Sequence, residues 1–167
     1  MEVSPTNGPT VVLVHGAWAD GSSWGRVIPL LMKKGVPVVA VQNPTTSLAH
    51  ITDDGAGFLK LSVEGWIKDV TQDLPEDKAR VLAIVQPPLA ASTFGDKITK
   101  AAWRTRPNWY VVSIEDRIVS VELERRLAAT LKAKTTELKA GRLSLLSQPE
   151  AVAEVILDAV TTVAAGA

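Results

Sequence analysis

At 167 residues, 46% of them hydrophobic, the chain can close one domain around a sizeable core and is too short for two. Eighteen acidic residues balance eighteen basic ones, so no long-range field recruits nucleic acid, an anionic membrane or a strongly charged substrate; a small neutral or apolar ligand is the expected partner. Cysteine is absent, which excludes disulfides, thiolate metal sites and a cysteine nucleophile, and His15 and His50 are the two imidazoles of the chain. The opening MEVSPTNGPT has neither a basic start nor an apolar run, and no stretch approaches the roughly 20 apolar residues of a membrane span, so a cytoplasmic protein without membrane contact is expected.

In chain order, TVVLVHG is a β-branched run ending at Gly16 and reads as a strand buried on both faces. SSWGRVIPLLMKKG places Trp24, Val27, Ile28 and Leu31 at helical spacing, with Ser22 or Ser23 as the N-cap and Gly35 as the stop. VPVVAVQNP is a second buried strand, so this opening reads as a right-handed βαβ unit of parallel strands. TTSLAHITDDGAG is a polar, glycine-bearing linker; SVEGWIKDV and PEDKARVLAIVQ carry helical patterns; PPLAASTFGD is broken by Pro87, Pro88 and Gly95. Residues of about 55–100 therefore read as a helical cap. Alternation then returns with the strand NWYVVSIED, the amphipathic helix SVELERRLAATLKA, the short strand KTTELKAG and the helix SQPEAVAEVILDAVTTV, with Ser147 as N-cap and Pro149 in the first turn.

One motif has a catalytic spelling. GSSWG, Gly21 to Gly25, matches G-x-S-x-G, the nucleophile elbow of serine hydrolases, but an elbow needs its serine on a sharp turn directly after a buried strand. Here AWAD intervenes and a helix follows, so Ser23 reads first as a helix start with Trp24 as a core anchor; the competing reading is a makeshift pair of Ser23 and His15 flanking one loop. No phosphate-binding glycine loop, dinucleotide fingerprint or His and Cys cluster occurs, and no cofactor or metal is expected.

TVVLVHGAWADGSSWGRVIPLLMKKGVPVVAVQNPTTSLA, AASTFGDKITKAAWRTRPNWYVVSIEDRIVSVELERRLA and LSLLSQPEAVAEVIL together resemble the opening and closing halves of small α/β-hydrolases of the esterase and hydroxynitrile-lyase-like group. The resemblance implies a single α/β domain over residues 1–167, with a reduced parallel sheet of about four strands flanked by helices beneath the cap. It makes His15, Gly16, Ala17 and Trp18 the oxyanion loop, whose backbone N–H groups face a tetrahedral intermediate. It puts Asp116 in the position of the triad acid. Where the family carries its histidine, AGRLSLLSQPE has Arg142, which stays protonated and cannot act as a base; Asp116 is then expected to pair with Arg117 or Arg142. The helix–strand segments that hold the true elbow are missing between NPTTSLA and DGAGFLKL, about two units of roughly 30 residues each, and with them the two central strands.

Trp66, Trp103 and Trp18 are candidate pocket-lining residues, and Ser92 is an alternative hydroxyl. Losing two central strands leaves two apolar edges, which predicts either a closed sheet of four strands or a homodimer that covers them. The resemblance implies a carboxylic-ester hydrolase acting on small neutral substrates with incomplete machinery. The alternative is an inactive relative that binds a small apolar ligand or a protein partner.

Overall fold

The β-branched run Val11–Val14 (β1) pairs in parallel with Val38–Val41 (β2), register Val11 to Val38 through Val14 to Val41, in a computed structural model that describes residues 9–14, 21–41, 51–53, 55–92 and 101–166. The crossover between them carries a 3-10 turn over Gly21–Trp24 and helix α1 over Ile28–Lys33. α1 stops as its sequence foretells: Gly35 sits at φ 71°, its N–H bonds the Met32 carbonyl, and the Val36 N–H bonds that of Leu31, the two reverse bonds of a Schellman stop. Its start differs. Val27 occupies the cap position without a side-chain bond, and Pro29 lies in the first turn, so neither Ser22 nor Ser23 caps α1. Leu13 points into the core while Val12, Val14 and Val39 remain exposed on the opposite face.

The middle of the chain is not purely helical. β3 (Ile51–Asp53), β4 (Phe58–Leu61) and β5 (Leu89–Ala90) form an antiparallel sheet in the order β3-β4-β5. Of the polar stretch read as a linker, Ile51–Asp53 is strand, and Gly55 and Gly57 take φ of 75° and 87° where the chain doubles back to β4. Helix α2 (Val63–Gly65) starts on Ser62, whose hydroxyl accepts from the Gly65 N–H, and runs into a π-helical turn over Trp66–Val70. α3 covers Glu76–Val85. The buried Gln86 after it stitches this unit together: its Oε1 accepts from Leu61 N–H at 2.9 Å, and its Nε2 donates to the Leu61 and Ala83 carbonyls. Leu61, Trp66, Val70, Ala83, Leu89 and Leu143 form the cap's core.

β6 (Trp109–Ser113) and β7 (Lys134–Leu138) pair in parallel across α4 (Val121–Thr130), which Ser120 caps through the Leu123 N–H. A short α5 (Ser144–Ser147) leads to α6 (Pro149–Ala165). Pro149 opens α6 as expected, but Gln148 rather than Ser147 holds the cap position; its amide donates to the Lys139 carbonyl, and the buried Ser147 hydroxyl has no partner among the described residues. α6 contacts both α1 and β6, and a second core of Val27, Leu31, Leu138, Ala140, Val152 and Ala153 joins the two βαβ units.

Four parallel strands are thus present, as two pairs rather than one closed sheet among the described residues, with α6 spanning both. No helix among them is long and apolar enough to cross a membrane.

Because Leu31 is fully buried where α1 meets α6 and β7, Leu31→Ala is expected to lower unfolding stability by about 2–5 kcal/mol in denaturant titration. Ile84→Ala, on a side chain 70% exposed, is expected to stay within about 0.5 kcal/mol of wild type. Equal losses in the two variants would show that the shared core does not carry the fold.

Candidate active site and an apolar groove

The chain past β6 is held in a tight turn by Asp116. Its carboxylate is 1% exposed; Oδ1 accepts from the Ile118 N–H at 2.7 Å and the Val119 N–H at 3.0 Å, a local turn that aspartate makes well. Oδ2 accepts from Arg142 Nη1 at 3.1 Å. Of the two expected partners Arg142 is therefore the one in place, while Arg117 turns away to donate to the Lys68 carbonyl. The guanidinium on Asp116 holds only donors and accepts no proton.

Glu124 completes this cluster and was not foreseen. It is 4% exposed on α4, and Oε2 accepts from the Ser113 N–H at 2.9 Å. The Lys134 N–H bonds the Asn108 carbonyl and the Ile114 N–H bonds that of Leu138, so the even-numbered residues of β6 face β7. Trp109, Val111 and Ser113 turn their backbone groups to the opposite edge, where no described strand pairs with them. Glu124 thus takes an N–H that a neighbouring strand would otherwise use.

Burial pushes the Glu124 carboxyl up to about 7 against the pull of the Ser113 N–H, and the adjoining Asp116 carboxyl pushes the same way; Arg142 pulls weakly down. Tyr110 is raised as well, by burial first and then by Glu124. The sequence did hold a signal: Glu124 falls at i+3 from Val121 and i−4 from Ala128, on the apolar face of its helix.

The cap fixes both loops of the cluster. Gln72 Nε2 donates to the Glu115 carbonyl at 2.7 Å, and the Gly141 N–H donates to Asp73 Oδ2 at 2.7 Å. A Cβ at Gly141 would lie 2.7 Å from Gln72 Nε2, so a side chain there would have to displace the Gln72 amide. The turn bearing Arg142 is therefore clamped beneath residues 72 and 73.

The other candidates fall elsewhere. Ser23 is buried in the 3-10 turn, packed on β1, β2 and α5, and none of the hydrogen bonds of Asp116, Glu124 or Arg142 reaches it. His15, Gly16, Ala17 and Trp18 of the expected oxyanion loop, and His50, lie outside the described residues. Ser92 is exposed. Trp66, 2% exposed, is a core residue of the cap, and Trp103 is 37% exposed with the Arg104 guanidinium 5.2 Å from its ring centre.

Trp24, read as a core anchor, lines a cavity together with Trp109. A groove of about 380 Å³ runs between β1 and β6, with Val11 and Trp24 on one wall, Trp109 and Val111 on the other, and Val155 and Ile156 of α6 beneath. A second cavity of about 420 Å³ lies between α3 and α5, with Val81, Leu82 and Leu146 in its wall and Arg26, Asp77 and Lys78 at its rim.

The carboxyl cluster has a pH signature. Since the folded-state value of Glu124 lies above its ordinary 4.5, its contribution is complete below about 4.5 and is lost as pH rises through about 7. Glu124→Gln stays neutral and keeps an acceptor for the Ser113 N–H. Wild type and variant are expected to melt together near about pH 5. At about pH 8 the variant is expected to melt higher, by roughly 2–4 °C for each kcal/mol that the buried ionised carboxylate costs. Parallel melting curves at every pH would show that Glu124 holds no extra proton.

Comparison with known proteins agrees with this architecture. Residues 47–155 match the model of the Alpha/beta hydrolase family. No curated protein matches the sequence. Among solved structures, the methylesterase MES16 from Arabidopsis is similar at a TM-score of 0.76, with 12% identity over 92% of this chain and 100% of that chain. Tomato methylketone synthase I, complexed with 2-tridecanone, is similar at 0.76, with 10% identity over 94% of this chain and 99% of that one. A pyrethroid hydrolase from Sphingobium faniae JZ-2 reaches 0.69, with 14% identity over 89% and 96%. These likenesses are to the fold, and the matched family model spans more than half of the sequence: the chain belongs to the alpha/beta hydrolase family.

Proposed function

We propose that this protein is a hydrolase relative whose triad does not operate, and that it binds a small neutral or apolar molecule in the groove between its two strand pairs. The observation that carries this reading is the Asp116–Arg142 pair. A carboxylate 1% exposed accepts from two backbone N–H groups and a guanidinium, and the side chain it is paired with accepts no proton and cannot act as a base. The gap between β1 and β6 supports the further reading that the two central strands, one bearing the nucleophile, are absent from this chain.

A second reading has support from the fold likeness to a methylesterase and a pyrethroid hydrolase: slow ester hydrolysis on small neutral substrates, through the oxyanion loop of His15, Gly16, Ala17 and Trp18 with Ser23 as nucleophile. Losing base and nucleophile removes several orders of magnitude from such catalysis. With a fluorophosphonate probe and short-chain aryl esters, the expected outcome is no labelled residue by mass spectrometry and no turnover above buffer, in wild type and in Ser23→Ala alike. Labelling of Ser23, with turnover that Ser23→Ala abolishes, would replace the first reading by the second.

We also propose a homodimer. Val12, Val14 and Val39 form an exposed apolar face on the β1–β2 pair, on the side away from the buried Leu13, and a second copy laid over it would withdraw that surface from water. Sedimentation is expected to give twice the chain mass for wild type and the chain mass for Val12→Lys combined with Val39→Lys. A wild-type monomer at all concentrations would remove the dimer without touching the ligand reading.

A further inference from the structure

The cavity between α3 and α5 shares no lining residue with the groove, and none of Asp116, Glu124 and Arg142 lines it. Its floor is aliphatic: Leu74, Pro75, Val81 and Leu82 come from the cap and Leu146 from α5. At about 420 Å³ it falls within the range of roughly 300–1,000 Å³ that small-molecule sites occupy. Val81 is 59% exposed, an aliphatic side chain left in water on a concave wall, so an apolar body laid against it gains burial that the free protein lacks.

Charge at the mouth is uneven. Arg26 Nη1 donates to the Leu146 carbonyl at 2.6 Å, which sets the guanidinium against the wall, and Arg26 has no carboxylate partner among the described residues. Lys78 stands one turn before Val81 and Leu82 on α3, and it has no ion pair among the described residues either. Of the two acids in the first turn of α3, Glu76 is answered by Arg80 at 2.8 Å, which leaves Asp77 as the acid at the mouth. Two cations against one carboxylate leave one positive charge unmatched. One of the cations belongs to the chain before α1 and the other to the cap, so an anion that accepted from both would bridge the two parts.

We infer that this cavity binds an amphiphile with a single anionic head, its chain on the aliphatic floor and its head between Arg26 and Lys78. No covalent step is involved, and the site works independently of the groove. Both cations are exposed, so each pairing is screened by water; two such pairs amount to about a fivefold preference over a neutral head.

Octanoate, 1-octanol and octylammonium carry the same chain length with a negative, a neutral and a positive head. They are titrated into the whole protein at about 20 mM salt, where surface charge is weakly screened, and followed by the ¹H–¹⁵N signals of Lys78, Val81 and Leu146. Octanoate is expected to bind about fivefold tighter than octanol, and octylammonium more weakly than octanol. Arg26→Gln combined with Lys78→Gln is expected to abolish the preference for octanoate, and Asp77→Asn to widen it, with octanol binding as before in both. Val81→Trp fills the cavity from an exposed position, and it is expected to keep the wild-type melting temperature and to remove the shifts caused by all three probes. Affinities that do not follow head charge, a preference that survives the double glutamine variant, or octanoate binding that survives Val81→Trp would overturn the assignment. So would the failure of octanoate to move any of the three signals in wild type. None of these results touches the reading of the groove.

Discussion

Everything in this fold depends on one apolar helix serving two strand pairs that do not bond to each other. α6 buries Val152 and Ala153 against Val27 and Leu31 from the first βαβ unit and against Leu138 from the second. In an open parallel sheet, backbone bonds between neighbouring strands would carry much of that load. Among the described residues no strand ladder joins the two pairs; they are tied mainly by side-chain burial, which is directionless and tolerates a gap, with the Arg26–Leu146 and Trp109–Asp158 hydrogen bonds beside it. The groove is the result: its floor is α6 itself, and its walls are strand edges that the helix draws toward each other without joining.

The second constraint is the neutrality of a buried cluster. One guanidinium, Arg142, faces two carboxyls, Asp116 and Glu124, and two full negative charges beside one positive would leave a net charge out of water. Raising Glu124 to about 7 eases this, because one carboxyl then keeps its proton below about pH 7. An aspartate that oriented an imidazole would need no such second acid. Arg142 and the buried glutamate therefore read as one arrangement, clamped by Gln72 and Asp73 from the cap.

Much of this was legible in the residues. The β-branched runs at Val11 and Val38, the strand ending near Ser113, the amphipathic α4 and the apolar α6 all follow local periodicity, and Gly35 stops α1 by its backbone conformation. What escaped was tertiary. The strands at Ile51 and Phe58 are short and joined through glycines, so their composition looked like a linker until the hairpin closed. Ser23 and Ser147 have the right chemistry for caps, but the chain enters α1 through a 3-10 turn and α6 through Gln148. Tryptophan roles were exchanged for the same reason: helical or cap position says nothing about which ring faces a space, and the space between β1 and β6 exists only once both pairs dock on α6.

The spelling GSSWG shows how context converts a motif. A nucleophile elbow works because a strand ends, the serine is held at the turn, and a helix begins beneath it. Gly21–Trp24 instead forms a 3-10 turn laid on β1, β2 and α5, with Ser23 buried inside it and Trp24 turned to the groove. Within this motif Trp24 Nε1 is buried with no partner among the described residues, and Ser23 is enclosed in the turn. Asp116 is committed to Arg142, a donor that accepts no proton, so among the described residues the spelling alone gives Ser23 no base.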